Sequence, residues 1–287
     1  MKLKLSIITI NLNNATGLFK TIESLFQQTS TDFELIVVDG GSTDGSIEVI
    51  HEFEHKRSNP SKPEFIDCFS WTSEPDTGIY NAMNKGIRMA KGEYIQFLNS
   101  GDGLATKEVT LEMMHLIPEG CNIFYGNMLK QLPDKKIRDR GFAGRMPTML
   151  DFYTGTLNHS SSYIRKSLFD RYGLYDESLK IVADWKWFLN VISLNDIVPV
   201  YKDIDVSVFD MTGISSVNSE MDKEERRKVL KVLLPFSILR DYDQYSFYIN
   251  QIQRINRFWL TSKCFYLAER LLFKYEKWTI SKMKCCK

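Results

Sequence analysis

The stretch Leu35-Ile36-Val37-Val38-Asp39-Gly40-Gly41-Ser42-Thr43-Asp44-Gly45 decides the fold. An apolar run without alternation stops at an acid and passes through a glycine-rich loop. It then leads into a helical pattern carried by Ile47, Ile50 and Phe53. Continuous apolar strands of this kind suit a parallel sheet covered on both faces. Working outward, the same order repeats. Residues 5–10 form another apolar run, and Leu18, Ile22, Leu25 and Phe26 line one face of the helix after it. Residues 65–69 read as a third strand. Ile79, Met83, Ile87 and Ala90 mark a third helix, closed by Gly92 as a C-cap, and residues 94–98 read as a fourth strand. Strands separated by amphipathic helices imply an α/β architecture that binds ligands beyond the carboxyl ends of its strands.

The chain has 287 residues, 43% hydrophobic and 25% charged, which suits a soluble globular protein of one large domain with a small appendage. Its net charge of +1 is unevenly spread. Residues 221–287 hold fifteen Lys/Arg against seven Asp/Glu, a net of +8, so the first 220 residues sum to −7. The expected division is residues 1–222, an acidic α/β body, and 223–287, a basic and aromatic-rich helical extension. A basic tail on an acidic body suits an anionic surface as partner. The five cysteines, at 68, 121, 264, 285 and 286, form no zinc or disulfide pattern, and the cytoplasm is the simplest compartment. Lys2 and Lys4 before the first apolar run resemble a signal peptide only faintly, because Asn11, Asn13 and Asn14 follow it. No apolar stretch reaches the ~20 residues a membrane-spanning helix needs.

Four places carry candidate chemistry. In the loop from Asp39 to Gly45, glycines let the backbone approach a ligand, and Asp39 is placed to accept hydrogen bonds from a ribose or base. Taken alone, that loop reads more readily as a turn in which Ser42, Thr43 or Asp44 caps the next helix. Ser73-Glu74-Pro75-Asp76-Thr77-Gly78 precedes the helix that carries Asn81, Asn84 and Lys85. Asp76 or Thr77 is either a cap there or, with Lys85, part of a polar ligand site at the helix start. Phe97-Leu98-Asn99-Ser100-Gly101-Asp102 ends the fourth strand with oxygen donors that suit a hard cation on a diphosphate; it is also a good turn sequence. Val182-Ala183-Asp184-Trp185-Lys186-Trp187 opens a helix. Its acid is an ordinary first-turn residue, or a general base if it faces a cleft where Trp185 and Trp187 stack on a sugar. His159, within Asn158-His159-Ser160-Ser161-Ser162, is by itself more often structural than catalytic. Residues 130–158, with Pro133, Gly141, Gly144 and Pro147 among charges, read as a loop or flap beside a site.

The order of these signals is more informative than any one of them. Ser6-Ile7-Ile8-Thr9 through Asn13, the 37–45 segment, Glu74 to Gly86, Gly92 to Asp102, and Ala183-Asp184-Trp185 together resemble glycosyltransferase family 2. The branch resembled builds bacterial capsule, exopolysaccharide and O-antigen units, and the likeness covers roughly residues 3–215. It implies the GT-A fold, a Rossmann-like nucleotide-sugar-binding domain with a mostly parallel central sheet. It also implies a nucleoside diphosphate sugar donor, commonly a UDP-sugar, and inversion at the anomeric carbon. Matched by motif, Asn11, Asp39 and Asp76 line the base and ribose pocket, and Lys85 and Ser100 join them on the donor side. Asp102 holds Mn2+ or Mg2+ on the diphosphate and Asp184 is the general base. His159 and Trp185 stand on the acceptor side, where a glycan or polyprenyl-diphosphate-linked acceptor binds. The expected place is the cytoplasm, at the inner face of the plasma membrane. Three positions depart from the commonest pattern. The usual Asp-Asp-Gly-Ser loop is Asp39-Gly40-Gly41-Ser42, the metal motif keeps one carboxylate in Asn99-Ser100-Gly101-Asp102, and a frequent Asp of the middle helix is Asn81.

Other classes fit less well. Strand one runs into Asn11-Leu12-Asn13-Asn14 rather than Gly-x-Gly-x-x-Gly, which disfavours a nicotinamide dehydrogenase. There is no Walker A motif and no Gly-x-Ser-x-Gly elbow. A sugar-phosphate nucleotidyltransferase and a catalytically inactive nucleotide-sugar-binding scaffold remain as alternatives. The acidic body and the lack of a recognised module argue against nucleic acid. In the tail, Phe258-Trp259, Lys263, Phe265-Tyr266, Arg270, Phe273-Lys274 and Trp278 interleave aromatics with cations. That pattern suits a membrane-surface helix pair as well as helices packed on the body.

Overall fold

The computed structural model describes residues 4–57, 69–211, 219–256, 263, 266–273 and 275. The chain divides into two units, Met1–Val229 and Leu230–Lys287. In the first unit, strands β1 (Leu5–Asn11) and β2 (Phe33–Asp39) are buried at every residue, as their unbroken apolar sequence requires. Helix α1 (Ala15–Phe26) follows β1, α2 (Ser46–Arg57) follows β2, and α3 (Ile79–Met89) follows β3 (Phe69–Ser73). Of the strand expected at 65–69, only Phe69 lies among the described residues, and it begins β3.

Alternation along the strands sorts the helices onto two faces. Leu5 and Ile7 of β1 and Leu35 and Val37 of β2 share one buried cluster with Leu18, Ile22 and Leu25 of α1 and Ile50 and Phe53 of α2. Ile8 points the other way, against α3, where a Cβ on Gly86 would stand 2.4 Å from Ile8 Cγ2. Helix α3 ends at Met89 with Ala90 as C-cap, so Gly92 is not the cap the sequence suggested. Gly92 is small for another reason: a Cβ there would lie 2.6 Å from the Ser6 backbone nitrogen.

Among the described residues the sheet has nine strands, in the order β3-β2-β1-β4-β8-β6-β9-β5 with β7 beside β6. The later strands are β4 (Tyr94–Phe97), β5 (Gly103–Leu104), β6 (Ile123–Gln131), β7 (Lys136–Asp139), β8 (Ser162–Arg165) and β9 (Pro199–Asp210). Strands β1, β2, β3, β4, β6 and β9 run one way, and β5, β7 and β8 run against them. Four short helices join them: α4 (Val109–Leu116), α5 (Met149–Thr154), α6 (Ser167–Tyr172) and α7 (Ala183–Phe188). Helix α7 continues as a π-helical segment, Leu189–Leu194. Helix α8 (Ser219–Leu233) crosses the division between the units, and α9 (Phe236–Asn256) belongs to the second.

Residues 130–158 are more ordered than a flap. They hold the β6–β7 hairpin and α5, and Phe142, Phe152 and Leu157 are buried. Pairs Lys130–Asp139, Arg138–Asp205 and Arg145–Asp151 satisfy the charges that made the segment look solvated.

Candidate functional site

Strand register assembles the site. Asn11 lies opposite Asp39, and Asp39 opposite Ser73, so three strands end in one polar row. Asp39 is fully buried, and its carboxylate accepts from Asn11 Nδ2 (2.8 Å), Ser42 Oγ (2.6 Å), Ser73 Oγ (2.7 Å) and the Gly41 and Ser42 amides. Burial pushes its pKa up, but these donors outweigh burial and hold it below the usual value. Five donors fill the roughly four lone-pair sites of a carboxylate. Asp39 therefore shapes the corner from behind. The acid offered outward is Asp76, half-buried, whose Oδ1 accepts from the Gly78 amide. A Cβ on Gly40 would lie 2.5 Å from Asp76 Oδ2, so glycine is needed for this approach. Neither Asp76 nor Thr77 caps α3: Gly78 holds the N-cap position. Lys85 folds back on the loop, pairing with Glu74 (2.8 Å) and donating to the Pro75 carbonyl (3.2 Å).

The turn after β4 is pinned by α1. The Thr21 hydroxyl accepts the Gly101 amide and donates to the Asp102 carbonyl (2.6 Å), while Asn14 Nδ2 donates to the Ser100 carbonyl (3.2 Å). Asp102 is 3% exposed. Its Oδ1 accepts the Asp210 amide (2.9 Å), and its Oδ2 is buried without a hydrogen-bond partner. Burial raises its pKa to about 7. The Asp210 carboxylate is close by, since a Cβ on Gly101 would stand 3.2 Å from Asp210 Oδ2. Among the described residues no cluster of three or more His, Cys, Asp or Glu is arranged to hold a metal ion. One orphaned carboxylate oxygen beside a second acid fits instead a hard cation that shares its coordination with substrate phosphates.

The third corner comes from the strand that runs backwards. Because β8 is antiparallel to β4, its amino end meets the carboxyl ends of the others, and the 3-10 turn His159–Ser161 leads into it there. His159 Nδ1 lies 3.0 Å from Asp184 Oδ2, and its ring packs edge-on to Phe97. Asp184 sits in the first turn of α7, and the Tyr80 hydroxyl lies 2.8 Å from its Oδ1. Burial would raise Asp184, but the hydrogen bond and charge of His159, helped by Tyr80, bring it below its usual value. Burial likewise opposes protonation of His159, and Asp184 reverses the sign and raises it. Both side chains keep some exposure, 18% and 15%, so the pair is reachable.

Trp185 corrects the sequence reading. It is 1% exposed, its indole N–H donates to the Phe152 carbonyl (2.7 Å), and the Arg226 guanidinium lies 4.7 Å from its ring centre. Neither of its faces is open to a sugar. Trp187 is also core, stacked on Phe169 at 4.5 Å. Asn81 and Asn84, which sequence reading left without a task, donate to Glu177 and tie α3 to the chain before α7. Tyr80, Asp210 and Glu225 were missed altogether. Tyr80 reads as one more apolar residue of an amphipathic helix, and Glu225 as part of the solvated run Glu224-Glu225-Arg226-Arg227.

The α/β sheet, mostly parallel and with its polar strand ends gathered at one edge, has the GT-A fold. The chain matches the family model described as Glycosyl transferase family 2 over residues 6–173, and it belongs to that family. It is 28% identical over 223 residues to a PGL/p-HBAD biosynthesis glycosyltransferase of Mycobacterium bovis, covering 76% of this chain and 81% of that one. An uncharacterized glycosyltransferase of Mycobacterium tuberculosis is 30% identical over 218 residues, covering 74% and 76%. Among solved structures, S. aureus TarS 1-349 in complex with UDP aligns with a TM-score of 0.60 at 21% identity, over 79% of this chain. This chain spans 64% of that TarS chain, under two thirds of its length. The mannosyltransferase PcManGT of Pyrobaculum calidifontis, solved with GDP-Man and Mn2+, aligns with a TM-score of 0.56 at 15% identity, over 72% of this chain and 56% of its own. At these identities the structural likeness speaks to the fold.

Proposed function

We propose that the chain transfers a sugar from a nucleoside diphosphate sugar, a UDP-sugar by first expectation, with inversion at the anomeric carbon. The acceptor is a glycan or a polyprenyl-diphosphate-linked saccharide of bacterial capsule, exopolysaccharide or O-antigen synthesis. The observation that carries this reading is the Asp184–His159 pair at 3.0 Å, set at the same sheet edge as the Asn11, Asp39 and Asp76 corner. The relative named for PGL biosynthesis supports a bacterial glycan product. TarS crystallised with UDP-GlcNAc and PcManGT with GDP-Man support a nucleotide-sugar donor.

Asp184, held ionised by His159, takes the proton of the acceptor hydroxyl. That oxygen forms its bond to the anomeric carbon as the bond to the diphosphate breaks on the opposite face, and the diphosphate keeps the electron pair. Asn11, Asp76 and the loop that Asp39 organises hold the nucleotide. Asp102, with Asp210 beside it, would hold Mn2+ or Mg2+, which supplies positive charge to the departing diphosphate. The extension from residue 223 sits on an anionic membrane surface, bringing the site to a lipid-linked acceptor.

The test is UDP and GDP release from a panel of nucleotide sugars with membrane lipid extract, in Mn2+, Mg2+ or EDTA, for wild type and Asp184→Asn. Metal-dependent release from one donor, lost in Asp184→Asn, is expected. A product that retains the donor's anomeric configuration by NMR would overturn the single displacement.

A further inference from the structure

The Tyr80 hydroxyl has two acceptors and one hydrogen. Its oxygen lies 2.8 Å from Asp184 Oδ1, and it also contacts the Ile181 carbonyl oxygen at short range. Both contacts are made at the same moment, but a phenol donates once. The other neighbour must therefore face a lone pair, which is unfavourable unless that neighbour carries a hydrogen of its own.

The Ile181 carbonyl is a fixed target. Buried Glu225, on α8, accepts the backbone N–H groups of Lys180 (2.8 Å), Ile181 (2.9 Å) and Val182 (3.3 Å). The peptide between Ile181 and Val182 is thus gripped at its N–H by Glu225 and at its oxygen by Tyr80. Tyr80 itself is 5% exposed, its ring packed on Tyr175, so its oxygen has little freedom to wander. Only the hydrogen can move.

We infer that Tyr80 is a positioning residue for Asp184 whose single hydroxyl hydrogen swings between Asp184 Oδ1 and the Ile181 carbonyl as the base changes its protonation. This rests on Asp184 being the general base. While Asp184 is a carboxylate, the Tyr80 hydrogen points at it. When the acceptor O–H bond breaks and its proton joins Asp184, the neutral acid needs no donor. The Tyr80 hydrogen then turns to Ile181 O, and the freed lone pair accepts the acid hydrogen of Asp184. No proton leaves Tyr80 at any point, in keeping with a phenol pushed well above its usual value by burial and then by the Asp184 charge. The groups facing Asp184 are His159 from the turn before β8, Tyr80 from α3 and Tyr175 from the chain before α7. Of these, Tyr80 has the alternative acceptor in place. With Asp184 ionised the one hydrogen serves the charged acceptor; with Asp184 protonated both contacts carry a hydrogen, and no heavy atom moves between the two states.

The experiment has a substrate-free arm and a kinetic arm, both on the full chain. With tyrosine labelled at Cζ and isoleucine at the carbonyl carbon, the Tyr80 and Ile181 signals are assigned by Tyr80→Phe. They are then compared between wild type and Asp184→Asn, whose neutral amide stands in for the protonated acid. Both signals should shift as the hydrogen moves to Ile181; unshifted signals overturn the proposal. In the kinetic arm, with the donor turned over in the release assay, Tyr80→Phe should lower kcat about tenfold or more. Donor KM should stay within about twofold and the acid limb of kcat should move to higher pH. An unchanged kcat and limb in Tyr80→Phe, with Asp184→Asn inactive, overturns the proposal alone. Turnover surviving in Asp184→Asn overturns the base assignment instead, and the labelled signals still decide the hydroxyl.

Discussion

Two acids at the sheet edge are buried for opposite ends. Asp184 is stabilised as a carboxylate by His159 and Tyr80, whereas Asp102 has one oxygen with nothing to bond. For metal-free protein the sign follows from linkage. With Asp102 raised to about 7, the native chain keeps a proton between roughly pH 4 and 7 that the unfolded chain has lost, so stability falls as pH rises across that window. The full effect is at most about 4 kcal/mol. In EDTA, Asp102→Asn, which keeps an acceptor for the Asp210 amide, should melt above wild type at pH 8 and close to it at pH 5. Equal destabilisation at both pH values would remove the buried-charge account. Mn2+ should then raise the wild-type melting temperature and leave the variant unmoved. His159 has the same sign over a higher window: its raised pKa gives stability that is full below about pH 6.5 and lost as pH passes its folded value. His159→Gln should therefore cost stability at pH 6 but little at pH 9, by urea denaturation, and should move the acid limb of kcat upward. Asp102, Asp184 and His159 could be put forward from sequence because their motifs are local, and the structure brings the last two together. Tyr80 could not be, because its role depends on a partner 104 residues away.

At the scale of elements, β1, β2 and α1 to α3 follow directly from apolar runs and helical spacing, since each is decided by its own side chains. Gly92 was misread because a glycine after a helix has two explanations, and strand proximity rather than capping applies here. The 130–158 region looked like a loop because ion pairs across strands are invisible in a linear reading. Helix α8 was expected as the start of a helical extension, with no task for its acids. Its Glu225 caps the three amides that open the way to α7, and Arg226 donates to the Gly155 carbonyl (2.9 Å). Glu225→Ala leaves those amides unmet, at about 1–3 kcal/mol. We expect that loss in urea unfolding, together with a lower kcat and an unaltered donor KM. Glu225→Gln, with one acceptor oxygen left, should fall between. A loss of stability with kcat intact would mean that the cap serves the fold and not Asp184.

For the whole molecule, no described helix is long and apolar enough to cross a membrane. Helix α9 nonetheless exposes Phe236 (79%), Tyr245 (54%), Phe247 (59%) and Tyr248 (61%), and Tyr266 and Phe273 beyond it are also exposed. Phe258, Trp259, Phe265, Lys274 and Trp278 lie outside the described residues. The proposed membrane contact predicts that the chain co-sediments with vesicles containing anionic lipid, less so with neutral ones, and that raised salt releases it. Phe247→Ser with Tyr248→Ser should weaken that binding several-fold while nucleotide release in detergent is retained; undiminished sedimentation would count against α9.

The family match ends at residue 173, yet Asp184 and Glu225 both lie past it. The stretch that carries Asp184 is tied to α3 through Glu177 and to α8 through Glu225. Grafting a relative's equivalent of residues 174–229 onto this body should exchange the preferred acceptor and leave the donor sugar as it was. That outcome would make acceptor choice separable from nucleotide binding within this one chain.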